Sequence, residues 1–136
     1  MSLLTKFFDK IIKKKLLYVR LSKNSIEIKE VHTGKSISRK ALVHYSNERL
    51  IIADFLEAEK FFREVIDELL NQKHKTFKKS LSVVLQIVDD QIKSSTVVEQ
   101  RIYADAFEHA GAAYYWFVEH QNLLSNEEII EIANRK

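Results

Sequence analysis

The sequence predicts an α/β domain: a five-stranded mixed sheet in the element order β-β-β-α-β-α-β-α, preceded by an amphipathic helix. Three observations predict it. Apolar residues alternate with polar ones from Leu17 to Val31, the period of half-buried strands. From Phe55 onward, stretches at helical spacing alternate with short runs of β-branched and apolar residues. The 136 residues are 46% apolar and 30% charged, enough for one domain with a real core and unlike a disordered chain. Residues 1–14 form the leading helix in this reading, and residues 15–136 form the domain.

The leading segment, SLLTKFFDKIIKK at 2–14, places Leu3, Leu4, Phe7, Phe8, Ile11 and Ile12 on one half of a helical wheel. Lys6, Asp9, Lys10 and Lys13 take the other half, and Lys15 would break the apolar arc, so the helix ends near Lys13 or Lys14. Two readings stand. The apolar half packs on the domain or on a second copy, or it lies in an anionic bilayer surface, where each lysine adds roughly 1 kcal/mol.

The strands follow. Leu17, Val19 and Leu21 alternate with Tyr18 and Arg20, and Ile26, Ile28 and Val31 alternate with Glu27, Lys29 and Glu30. The polar SKN at 22–24 turns one run into the other as a hairpin, and HTG at 32–34 makes the next turn, with Gly34 free to take a positive φ. A third run ends in ALVHY at 41–45, completing a meander.

Asp54, with Glu57 three residues on, caps a helix from Phe55 to about Gln72, with Ala58, Phe61, Phe62, Val65, Ile66 and Leu69 on its inner stripe. KHKTFKK at 73–79 is a basic loop, and SLSVVLQIV at 80–88 is a strand buried on both faces. Ser94 or Ser95 caps the next helix, which turns Val98, Ile102, Ala106 and Ala110 inward and stops at Gly111. AAYYWFV at 112–118 is another buried strand. Ser125 with Glu128 opens a last helix that runs to the end.

Composition removes several chemistries. Without cysteine there is no disulfide, thiol nucleophile or thiolate metal site, which suits a reducing compartment. Two glycines and no proline exclude a glycine-rich phosphate cradle. No run of apolar residues is long enough to span a bilayer, and lysines interrupt what would be a signal peptide's hydrophobic region. The five histidines, His32, His44, His74, His109 and His120, lack paired metal-ligand spacing, so no metal site is expected. Ser94, Ser95 and Thr96 read as caps, since no nucleophile elbow surrounds them.

Alternating helices and strands in the second half require parallel strands with right-handed crossovers. A meander feeding two such units is the ribonuclease H-like arrangement, which actin-like ATPases contain twice. VEQRIYADAFEHAGA at 98–112 resembles the VERRAxxDAxxEAGA helix of the bacterial actin-like, rod-shape-determining (MreB) family. RLIIADFLEAEKFF at 49–62 looks like that family's GVIADFxxAExML, and YWFVEH at 115–120 sits where its FLIEEP would be. The resemblance covers residues 16–133 and corresponds to the first actin subdomain alone.

The departures carry the functional expectation. The family resembles actin in a first hairpin of the form DLGTANT, whose amides and hydroxyls hold phosphate while its aspartate organises the cation. Aligned here, that aspartate becomes Arg20, the glycine Ser22 and the threonine Lys23, leaving Asn24 and Ser25. A guanidinium in place of the carboxylate disfavours Mg²⁺ by charge alone. Glu119 remains at the hydrolytic position, but between Val118 and His120, and one carboxylate without a second phosphate loop makes no ATPase. The resemblance therefore implies a non-catalytic interaction or scaffold protein without cofactor, cytoplasmic or peripheral on the inner membrane, and linked to cell shape or division. Its partner would be another protein or a second copy, with the membrane surface met through residues 2–14.

Two alternatives stay open. A small ligand-binding or enzymatic domain would use a pocket at the strand ends near Arg20, Asp89 and Glu119, where α/β sheets place ligands. A nucleic-acid module would use the basic 73–79 loop with Phe77 for stacking, although a charge run is more often a solvated loop. A two-metal nuclease would need acids on the first strand, which offers Arg20 instead.

Overall fold

The computed structural model describes residues 15–72, 80–92 and 94–135. The expected helix at 2–14 and the basic loop at 73–79 lie outside the described residues, as do the contacts assigned to Leu3, Leu4, Lys6, Phe7, Phe8, Lys10, Ile11, Ile12 and Lys13.

The described chain runs β1 (Lys15–Ser22), β2 (Ser25–Glu30), β3 (Ser36–Lys40), α1 (Phe55–Leu70), β4 (Leu81–Ile87), α2 (Val97–His109), β5 (Ala112–Val118) and α3 (Asn126–Ala133). The five strands form one mixed sheet in the order β3-β2-β1-β4-β5. β2 is antiparallel to both β1 and β3, whereas β4 is parallel to β1 and β5. Element order and strand directions agree with the sequence expectation.

The period-two pattern becomes two core layers. Leu17, Val19 and Leu21 of β1, Ile26 and Ile28 of β2, and Leu81, Val83 and Leu85 of β4 face the side covered by α1 and α2. Leu16, Tyr18 and Val84 face the other side, closed by Leu124, Ile129 and Ala133 around α3. Phe62 of α1 and Phe107 of α2 stack at 4.7 Å with their planes 7° apart, joining the two helices over the sheet. Burying a side chain of this size stabilises the fold by about 1.5–3 kcal/mol, so the larger layer carries most of the stability.

The caps show where sequence logic held and where it slipped. Asp54 Oδ1 accepts from the Glu57 N–H at the start of α1, and Asn71 ends that helix with φ 50°. Ser125 and Glu128 form the expected reciprocal box on α3. On α2 the cap is Thr96, not Ser94 or Ser95: Thr96 Oγ1 accepts from the Glu99 N–H, and Glu99 Oε1 accepts from the Thr96 N–H. Only Thr96 has a glutamate three residues on, so only it can close the box. The start of the helix turns accordingly. Val98 is 70% exposed, and Tyr103, Ala104, Ala106 and Phe107 carry the buried face.

Two strands differ from expectation. β3 stops at Lys40, and ALVHY is not strand, because Tyr45 turns inward to pack on Phe61 and Phe62 while Leu42 points into solvent. β5 is not buried on both faces. Among the described residues it is the last strand of the sheet, and Tyr114 is 45% and Tyr115 40% exposed. No described helix is long and apolar enough to cross a membrane.

Candidate functional site

Parallel strands converge with their C-terminal ends on one rim, where α/β sheets place ligands. Here that rim holds the β1–β2 turn, the loop after β4 and the loop after β5.

The β1–β2 hairpin carries all five residues of the aligned loop, Arg20 and Ser22 on β1, Lys23 and Asn24 in the turn and Ser25 on β2, and each of them has a hydrogen-bond partner within the chain. Asn24, at φ 55°, takes a left-handed conformation that a two-residue hairpin turn favours and asparagine tolerates. Its Oδ1 accepts from the Tyr45 and Ser46 N–H groups, both at 2.9 Å, and its own N–H donates to Ser46 Oγ at 3.0 Å. The Tyr45 hydroxyl shares its proton between the Ser22 carbonyl at 2.9 Å and the Ser25 carbonyl at 3.1 Å. Burial pushes that phenol above its usual range, so it stays a donor. The Ser22 and Ser25 hydroxyls bond each other, and Lys23 Nζ donates to the Glu48 carbonyl at 2.9 Å. Tyr45, Ser46 and Glu48 thus bond directly to the residues of this hairpin.

The centre of the rim is a network around Gln86. Arg20 and Gln86 are register partners on β1 and β4. Gln86 Oε1 accepts from Arg20 Nε at 3.1 Å and from the Tyr18 hydroxyl. Gln86 Nε2 donates to the His120 and Asn122 carbonyls at 2.9 and 2.8 Å. Every hydrogen-bonding position of this fully buried amide is therefore used. Arg20 Nη2 donates to the Gln121 carbonyl at 2.9 Å, and the Tyr18 hydroxyl accepts from the Leu124 N–H at 3.2 Å. Burial raises the Tyr18 hydroxyl's pKa, which keeps it protonated and donating to the amide. Gln121 in turn bonds Asp89 N–H, Asp89 carbonyl and Ile92 carbonyl, tying the loop after β5 to the loop after β4.

The rim residues therefore separate into two groups. Arg20, Ser22, Lys23, Asn24 and Ser25 are held in internal bonds, and Asp89 caps its own turn by accepting from the Gln91 and Ile92 N–H groups. Glu119 stands apart from them. It is exposed and lines a cavity of about 250 Å³ with Ser94, Ser95, Gln100 and Phe117, between the ends of β4 and β5 and the start of α2. Arg20 and Asp89 do not line that cavity, so the three residues expected to share a pocket do not converge. Tyr18, Tyr45, Gln86 and Gln121 are the participants that sequence reasoning missed. A glutamine inside the apolar run LSVVLQIV was the one available signal, since a buried amide must be satisfied by partners.

A second concavity, of about 530 Å³, lies between β3 and α1, where Leu42 and Phe61 sit among Arg39, Lys60, Glu57 and Glu64. No protein-family model matches the chain, and no curated protein or solved structure matches it either.

Proposed function

We propose that this chain is a non-catalytic, actin-related interaction module that has lost nucleotide binding and serves cell-shape or division machinery at the inner membrane surface. The observation that carries the reading is the Arg20–Gln86 pair, which occupies the adjoining central strand ends with a cation and an amide already satisfied by the chain. Divalent metal and triphosphate need carboxylates and unpaired amides at such a rim. The β3-β2-β1-β4-β5 order, with β2 antiparallel, supports the ribonuclease H-like assignment, and the 49–62, 98–112 and 115–120 stretches support the MreB-like one. Partner binding, through another protein or a second copy, follows from a fold kept without its nucleotide chemistry. The membrane part of the reading rests on residues 2–14.

Calorimetric titration with Mg·ATP tests the loss of the nucleotide site. No heat of binding is expected, and a micromolar dissociation constant overturns the proposal. Liposome sedimentation of the full chain against a version lacking residues 1–14 tests the membrane part. Loss of pelleting on truncation supports it, and equal, negligible pelleting removes it.

A second reading, small-ligand binding, is favoured by the cavity beside Glu119. Its volume suits a small polar molecule, and binding abolished by Glu119→Gln without loss of fold would establish it.

A further inference from the structure

We propose that β5 pairs antiparallel with the β5 of a second copy of this chain, about a two-fold axis at Tyr115, joining the two five-stranded sheets edge to edge. The pairing concerns a different face from the rim and stands or falls independently of nucleotide binding.

β5 is the last strand in the sheet order, and among the described residues its backbone has no strand partner on the side away from β4. An edge of this kind is a template for another strand, and proteins that must stay monomeric blunt it with charge, proline or brevity. β5 has none of these: AAYYWFV is seven residues without a charge or a proline. Its Tyr114 and Tyr115 are large, half-exposed and central.

The sequence of the strand fits its own reverse. With Tyr115 on the axis, Tyr114 stands opposite the partner's Trp116, Ala113 opposite the partner's Phe117, and Ala112 opposite the partner's Val118. Each small residue meets a large one. Tyr114 and Trp116 already lie together on one face, with centroids 6.2 Å apart and planes 26° apart. The symmetric copy extends that pair into a four-ring cluster, and aromatic cross-strand pairs are among the favourable ones. Charges beyond the strand do not collide: Glu119 falls opposite the partner's Gly111 and His120 opposite the partner's Ala110. A two-fold contact uses the same patch on both copies, so it closes as a dimer and does not grow into a fibre. A seven-residue edge lies at the low end of interface sizes, below about 1,200 Å² in total, so the dimer dissociates on dilution.

Light scattering on the full chain across a wide concentration range is expected to show a monomer passing to a dimer. Tyr115→Lys sets two ammonium groups against each other at the axis and is expected to leave a monomer of unchanged circular dichroism, whereas Ser38→Lys on β3 keeps the dimer. The absence of cysteine allows a second measurement that survives any folding defect of the lysine variant. Opposed Cα atoms of an antiparallel pair lie about 4.5–5.5 Å apart, within disulfide reach. Tyr115→Cys is therefore expected to form a covalent dimer under an added mild oxidant, and Leu56→Cys on exposed α1 is not. A monomer at every concentration overturns the pairing. So does a dimer that survives Tyr115→Lys, one that is lost with Ser38→Lys, or a Tyr115→Cys dimer that fails to crosslink. Crosslinking only after removal of residues 1–14 assigns the edge to that segment and overturns it too.

Discussion

At one flank of the sheet, Ser36, Ser38, Arg39 and Lys40 of β3 are all exposed, and Arg39 is held by Glu68 of α1. At the other, β5 presents Tyr114, Tyr115, Trp116 and Phe117 with no charge among them. The same contrast divides the rim. On the β1–β2 side, Tyr45, Ser46 and Glu48 bond to the hairpin at Ser22, Lys23, Asn24 and Ser25. On the β4–β5 side a cavity remains open beside Glu119. A short, charged edge discourages strand pairing, whereas an uncharged aromatic edge does not. The difference is one of edge chemistry, since the β3 flank also carries a concavity, the one that holds Leu42 and Phe61.

The largest expected effect comes from the joint between the two sides. Gln86→Leu removes an amide that serves two side chains from β1 and two carbonyls from the loop after β5. Leucine has a similar volume, so the cost is that of orphaned polar groups, about 3 kcal/mol in a urea denaturation. A loss below about 1 kcal/mol would mean that sealed and open sides are not coupled through this residue.

Asn24→Ala sharpens the comparison at the sealed turn. It strips the acceptor from the Tyr45 and Ser46 N–H groups and leaves alanine at φ 55°, for an expected loss of about 2 kcal/mol. Asn24→Asp keeps the acceptor and should cost less than half as much by the same measurement. Equal losses would show that neither the side-chain acceptor nor the left-handed backbone of residue 24, both of which aspartate keeps, holds the cover in place. Arg20→Asp is the complementary attempt: an acid at this position should still give no Mg·ATP heat, because the Asn24 N–H in the adjoining turn is already bonded to Ser46.

The sequence made the fold legible because its signals are local. Period-two spacing, the Asp54 and Ser125 caps and the buried LSVVLQIV run each act within a few residues, and each appears where expected. The Thr96 cap is equally local; the sequence reads Thr96 as one of three candidate caps but starts the helix at one of the two serines before it. The site was less legible because its bonds are long-range. Arg20 reaches Gln121 across 101 residues and Gln86 reaches Asn122 across 36, and no spacing rule foretells which loop will fold over a turn. Tyr45 illustrates the limit. In sequence it closes an apolar run that reads as strand, while in space its hydroxyl donates to the Ser22 and Ser25 carbonyls of the β1–β2 hairpin. The exposure of β5 was hidden for another reason, since an apolar strand reads alike at the centre of a sheet and at its edge.

On the open side, substitutions should move association and leave the monomer almost untouched. Tyr115→Lys lies at a half-exposed edge position, so monomer stability should change by no more than about 0.5 kcal/mol in dilute solution. A larger loss would mean that the aromatic edge belongs to the core of one chain.

The smallest effect concerns the blunted β3 edge. Arg39 Nη2 meets Glu68 Oε1 at 2.6 Å, and its guanidinium holds the Glu68 carboxyl below the usual carboxylate range. A carboxyl whose pKa is lowered in the folded state contributes stability above its unfolded value, near about 4.3, and loses it as pH falls through the folded value. Wild type should therefore melt slightly higher than Glu68→Gln at pH 7, and the two should converge in strong acid. Added salt should narrow the gap at pH 7, because both partners stand in solvent and their attraction is screened. A gap that ignores both acid and salt would trace the effect to packing of the glutamate stem, and the β3 edge would then owe its isolation to shape, not charge.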